Sequence, residues 1–162
     1  MAFEPMTDVG RKELAVERFA IKDLIAWKNS PRRRPLLVQG ARQVGKTWLI
    51  REFGQTHFAA VAYVNFLEDE AMARQFEGEL APARLLDAVT LYTGVNAKDP
   101  NTLVVFDEIQ ECPRALTSLK SFAERSPETA LVAAGSLLGV ALHRGVSFPV
   151  GKVDHLLIYP LS

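Results

Sequence analysis

The stretch Gly40-Ala41-Arg42-Gln43-Val44-Gly45-Lys46-Thr47, set directly behind the apolar run Pro35-Leu36-Leu37-Val38, constrains this chain more than any other feature. It fits G-x-x-x-x-G-K-[ST] at every fixed position. At average residue frequencies the four fixed positions coincide by chance in fewer than about one chain in 100 of this length. Gly40 and Gly45 permit backbone conformations and close approaches that a Cβ would block. The loop then turns several N–H groups toward one point, and a helix opening at Lys46 adds the positive end of its dipole. Lys46 can reach the β- and γ-phosphates of a nucleotide, and the Thr47 hydroxyl can ligate Mg²⁺. A bland reading, a strand-to-helix turn with the same letters, needs the same neighbours. Leu36 to Gln39 read as a buried strand. Lys46 to Phe53 read as a helix with Leu49, Ile50 and Phe53 inward and Gly54 as its stop. Gly40 to Thr47 together with Trp48 form the expected ATP-contact set.

A phosphate cradle needs a metal and a water, and Leu103 to Glu111, LVVFDEIQE, supplies the groups for both. Four apolar residues carry the chain through a sheet, and two carboxylates emerge at the strand's C-terminal edge, where open α/β sheets bind ligands. Asp107 is placed to hold Mg²⁺ directly or through water. Glu108 is placed to orient and activate a water for attack on the γ-phosphate. The competing reading is a helix cap and surface charge ahead of Pro113. Having both acids favours hydrolysis over binding alone. The guanine-reading Asn-Lys-x-Asp pattern is missing, since Asn96-Ala97-Lys98-Asp99 has the letters in the wrong spacing and precedes the acidic strand.

The rest of the chain alternates strands and helices. A helix is predicted over Glu13 to Lys28, strands over Ala60 to Phe66 and Leu131 to Ala134, and a last strand over about Val153 to Tyr159. Further helices are predicted over Glu68 to Phe76, over Pro82 to Tyr92 with Leu85, Val89 and Tyr92 on one face, and from Pro113 with Leu116, Leu119 and Phe122 aligned. Such alternation predicts an α/β fold, a mostly parallel sheet with helices on both faces. With 162 residues, 48% of them hydrophobic, one domain with a real core is expected. The segment 1–17 is expected to be partly flexible and 18–162 to form the core. The chain stops after an apolar strand, at Pro160-Leu161-Ser162, which suggests a fragment of a longer protein.

Nineteen basic and nineteen acidic residues cancel, so no global charge favours nucleic acid or an acidic membrane. Arg32, Arg33 and Arg34 leave a local basic turn that could touch nucleic acid, though three such residues in a turn are usually solvated. The single cysteine, Cys112, excludes an intrachain disulfide and a Cys-rich zinc site, and reads as a buried thiol. His57, His143 and His155 show no metal-ligand spacing. The charged start lacks a signal-peptide core, and the longest uncharged run, Thr129 to Leu142, is too short to span a bilayer. A cytoplasmic protein with no membrane partner is the expectation.

GARQVGKT, YVNF, VVFDEIQECP, AAGSLLGVAL and FPVGKVDHLLIYPLS together resemble the predicted ATPase domain of a bacterial and archaeal AAA+-like P-loop family, over about Phe19 to Ser162. The resemblance implies a three-layer αβα sandwich around a five-stranded parallel sheet in the order 5-1-4-3-2. It implies a C-terminal domain of the parent chain as partner, a possible homo-oligomer, and adenine seated against Phe19 to Leu24. It implies that Asn65, on the second strand, could hydrogen-bond Glu108 and hold it from water, although an Asn closing a strand into a turn looks the same. Ser136 resembles the position that senses the γ-phosphate or the attacking water, and a helix N-cap would need the same hydroxyl. Arg144 or Lys152 could supply a cation to the phosphates, in the same subunit or a neighbouring one. Two rival functions stay open: a small-molecule kinase, and a nucleotide-gated module that binds DNA or protein with negligible turnover.

Overall fold

The computed structural model describes residues 20–40, 45–136 and 151–158. The expected flexible segment 1–17, residues 137–150, and Ala41 to Val44 of the cradle lie outside the described residues.

Strands β1 (Leu36–Gly40), β2 (Ala60–Asn65), β3 (Thr102–Asp107), β4 (Ala130–Gly135) and β5 (Asp154–Ile158) form one sheet in the order β2-β3-β4-β1-β5. Every pairing is parallel. The order 5-1-4-3-2 implied by the resemblance is therefore the observed one. Because all strands run one way, Gly40, Asn65, Asp107 and Gly135 end along a single edge. In register, Asn65 sits opposite Asp107, and Gln39 sits opposite Gly135.

Side chains alternate across a strand, so each strand feeds two cores. Leu36, Val38, Leu103, Val105, Val132 and Ala134 face one way, into a core shared with Ala20, Leu24 and Trp27 of α1 (residues 20–28) and with Leu49, Ile50 and Phe53 of α2 (Lys46–His57). Leu37, Ala62, Val64, Val104, Phe106, Leu131 and Ala133 face the other way. They pack under α3 (Glu70–Gln75), α4 (Pro82–Thr93) and α5 (Pro113–Arg125). The three layers are thus set by the parity of the apolar residues.

Local chemistry fixes the helix ends. Pro82 and Pro113 open α4 and α5 at the position where a missing N–H costs nothing. Asp69 caps α3 by accepting from the Met72 amide at 3.0 Å. Leu85 and Val89 of α4 are buried as the periodicity requires, but Tyr92 is half exposed, its hydroxyl turned to Asp69. Gly54 does not stop α2, which runs on to His57. A Cβ on Gly54 would lie 2.6 Å from Val61 Cγ2 and 3.0 Å from Leu103 Cδ2. The glycine is there because helix and sheet approach closely at that point.

An edge-to-face cluster of Phe66, Phe76, Phe106 and Phe122, with ring centroids 5.2–6.1 Å apart, fills the core under α3 to α5. Phe106 is its hub, and the next residue is Asp107. The aromatic cluster thus anchors the strand end that presents the first acid to the opposite face.

Candidate functional site

The C-terminal edge of the sheet gathers the polar residues singled out from the sequence. Gly45 sits at φ 70°, ψ 31°, left-handed backbone that a glycine adopts without strain, and it is the N-cap of α2. No side chain caps this helix, and its first turn holds no acidic residue. A 12-residue helix thereby keeps its first-turn amides and its positive dipole end unneutralised by its own side chains, the arrangement that receives anions. Lys46 is buried, and its Nζ donates to the Gly40 carbonyl at 2.6 Å. That bond holds the ammonium group inside the turn between strand and helix.

Thr47 Oγ1 donates to Asp107 Oδ2 at 2.7 Å, joining α2 to the end of β3. Asp107 is 3% exposed, and its carboxylate takes two further donors. The Tyr63 hydroxyl donates to the same Oδ2, and the Glu108 amide donates to Oδ1 at 2.9 Å. Three donors compensate the burial of this carboxylate. The Arg51 guanidinium lies over the Tyr63 ring, 4.2 Å from its centroid. Burial first, and then the Asp107 carboxylate, hold the Tyr63 hydroxyl well above the ordinary phenol range; Arg51 and the Asn65 side chain act in the opposite sense.

Glu108 has left-handed backbone, φ 52° and ψ 45°, the one non-glycine residue with positive φ among the described residues. Such a conformation costs on the order of 1–2 kcal/mol and survives only where the surroundings impose it. Here the carboxylate accepts from Gln110 Nε2, and a short 3₁₀ turn (Ile109–Glu111) follows. Gln110 Oε1 is buried without a partner among the described residues.

Asn65 does not bond Glu108 in this conformation, contrary to the switch arrangement expected from the resemblance. Its Oδ1 accepts from the Leu67 amide at 2.9 Å, closing β2 into a turn. An Asn side chain that accepts from the amide two residues on closes the strand into a turn, the alternative the sequence left open. Ser136 follows Gly135 at the end of β4, between the cradle and the acidic strand, and its Oγ is buried with no partner among the described residues. A cavity of about 610 Å³ borders Gly45, Lys46, Thr47, Trp48, Arg51 and Glu108. Trp48 stands at its rim, 55% exposed.

The other described cations singled out from the sequence are elsewhere. Lys152 precedes β5, whose first residue pairs with the first residue of β1, so it lies at the edge of the sheet opposite the cradle. It pairs with Glu124 at 3.5 Å. Arg33 stacks on Trp27 at 5.3 Å and donates to the carbonyls of Lys28 and Glu128, and Arg34 donates to the Gly151 carbonyl. Both arginines tie the sheet's entry edge together. Arg144 lies outside the described residues, as does Phe19; Ala20 and Leu24 of the expected adenine segment are buried in the core. Among the described residues no three His, Cys, Asp or Glu side chains form a metal cluster, and no helix is long and apolar enough to cross a membrane.

Tyr63, Arg51 and Gln110 were not legible as site residues. Parity was the available signal for the first: Tyr63 shares a strand face with Asn65, and Asn65 is opposite Asp107.

A glycine cradle, its lysine and hydroxyl, and an acid two strands away on a parallel sheet of this order define a P-loop NTPase domain. The AAA domain family model matches residues 32–162, and the chain belongs to that family. Among solved structures, the Aeropyrum pernix ORC1 protein in complex with DNA aligns over 93% of this chain and 46% of its own, at 18% identity and a TM-score of 0.51. The Aeropyrum pernix ORC2 protein, in ADPNP–ADP complexes, covers 94% of this chain and 48% of its own at 18% identity and a TM-score of 0.42. PCH-2 of C. elegans covers 90% and 39% at 17% identity and a TM-score of 0.39. The chain spans less than half the length of each of these three proteins. No curated protein matches it in sequence.

Proposed function

We propose that this AAA domain, with a core over residues 18–162, binds ATP with Mg²⁺ and hydrolyses it. In the parent chain it would couple nucleotide state to a C-terminal domain or partner. One observation carries the reading: Thr47 Oγ1 and Asp107 Oδ2 meet at 2.7 Å beside the uncapped N-terminus of α2. These are hard oxygen donors, the type Mg²⁺ takes, and Mg²⁺ fills its octahedron with waters and phosphate oxygens instead of an all-protein cage.

The first-turn amides of α2 and the Lys46 ammonium neutralise the β- and γ-phosphates. Thr47 and Asp107 hold the metal, which offsets charge on the phosphates when bound. Glu108 takes a proton from the attacking water as general base. Its Oε2 accepts from Gln110 in this conformation, a bond that competes with the water for that oxygen. Ser136 orients the γ-phosphate or the water through a buried hydroxyl that has no partner among the described residues. Asn65 acts on Glu108 in a second conformation in which its Nδ2 donates to the carboxylate. Gly40, Ala41, Arg42, Gln43, Val44, Gly45 and Trp48 complete the nucleotide contact set.

Calorimetry with ATP and Mg²⁺ tests the cradle. The parent should bind and Lys46→Ala should show no measurable heat of binding; unchanged affinity in the variant would refute it. Phosphate release separates the rivals: phosphate freed into solution supports hydrolysis, and a phosphorylated acceptor supports a kinase.

A further inference from the structure

We infer that Tyr63 is a positioning residue for the metal, acting through Asp107. This rests on the reading of Thr47 and Asp107 as the Mg²⁺-holding pair. Oδ2 of Asp107 accepts from two hydroxyls at once, Thr47 on α2 and Tyr63 on β2. Oδ1 accepts from the Glu108 amide. A carboxylate on a strand end can rotate about its terminal torsion, which is soft and broad. Donors from three different segments remove that rotation.

The Tyr63 hydroxyl is the donor from the outer side. It reaches Asp107 because the register pairs Tyr63 with Val105, two residues before Asp107 and on the same face. The ring is itself clamped, lying under the Arg51 guanidinium and against the core of α1 and α2. Arg51 follows Thr47 by one helical turn, so the helix that carries the metal-binding hydroxyl also carries the clamp on Tyr63. Tyr63 and Arg51 therefore tie the β2 edge strand to the same carboxylate that Thr47 engages.

Phenylalanine at position 63 keeps the ring under Arg51 and deletes the hydroxyl alone. With it gone, Oδ2 keeps one donor, the carboxylate gains freedom, and part of the ordering must then accompany metal uptake. Outer-shell partners of metal ligands typically contribute about 10–100-fold in metal affinity. For Tyr63→Phe the lower end, about 10-fold, is expected, because Thr47 and the Glu108 amide remain.

The test is Mn²⁺ titration in the presence of ADP, followed by electron paramagnetic resonance of free and bound metal. Circular dichroism confirms that both proteins are folded at the temperature used. ADP affinity in EDTA should be the same for parent and Tyr63→Phe, while Mn²⁺ affinity of the ADP complex falls about 10-fold in the variant. A variant packing defect would weaken both; that result, or equal Mn²⁺ affinity in the two proteins, overturns the assignment of Tyr63. Absence of nucleotide-dependent Mn²⁺ uptake by the parent overturns the proposed function and this assignment with it.

Discussion

Gly54→Ala offers the sharpest test of how α2 is seated. Two effects oppose each other. In a helix interior alanine is favoured over glycine by about 1 kcal/mol. Against this, the new Cβ would lie 2.6 Å from Val61 Cγ2 and 3.0 Å from Leu103 Cδ2, where carbon atoms prefer roughly 3.5–4.0 Å. Something must yield by about 1 Å relative to that preference. Val61 is β-branched and stiff about χ1, and its strand is paired with β3 along its length, so it yields poorly. Overpacking of this kind costs about 1–3 kcal/mol. The clash wins, and a net loss of about 1 kcal/mol follows from the difference of these two terms. For a domain of this size that is a fall in Tm of about 2–4 °C. Differential scanning calorimetry reads it directly. The sign should reverse in the Val61→Ala background, where Gly54→Ala should be neutral or stabilising because the nearer atom is gone. The effect should also reach the site. Lys46 and Thr47 lie roughly two helical turns before Gly54, so lifting α2 lengthens the 2.7 Å bond from Thr47 to Asp107 and weakens Mg-ATP binding. A rise in Tm for Gly54→Ala in the parent background would refute the close seating of α2 on β2 and β3.

Other outcomes follow from the same geometry. Glu108→Gln should retain ATP binding and slow phosphate release by about 10²–10⁴-fold; parental turnover would remove Glu108 from the role of base. Arg33→Ala should lower stability by about 1–2 kcal/mol through the lost carbonyl bonds and the Trp27 stack, with ATP affinity unchanged, as thermal melts and calorimetry will show. Burial pushes the Cys112 thiol above its ordinary range, which reduces the thiolate fraction at any given pH. Its reaction with a thiol reagent at about pH 8 should be slow in the native protein and fast after denaturation, and rapid native labelling would contradict the buried position.

The division of labour between the two edges of the sheet explains which parts of this molecule could be read from its sequence. Strand identity came through because apolar residues run unbroken where both faces are covered, and parity then set the layers. The cradle and the acidic pair could be proposed from the sequence because their chemistry is written in adjacent residues. What failed needed distance information. Gly54 reads as a helix stop because Gln55, Thr56 and His57 show no apolar period, and only the approach of Val61 reveals its purpose. Lys152 follows Gly151 late in the chain and reads as a cation near a strand end, yet the start of β5 beside the start of β1 puts it at the opposite edge. Tyr63 sits in a strand so apolar that it reads as filler, and becomes polar chemistry only when β3 is laid beside it. The same reasoning sorts the cations. Arg33, Arg34 and Lys152 at the entry edge meet carbonyls and a carboxylate, and bind the fold together. Lys46 and Arg51 at the exit edge meet the carbonyl that ends β1 and a tyrosine that holds an acid. A parallel sheet forces this separation, because every strand begins at one edge and ends at the other. Among the described residues, the charges placed to meet a phosphate at the exit edge are therefore those that the chain sets after its strands.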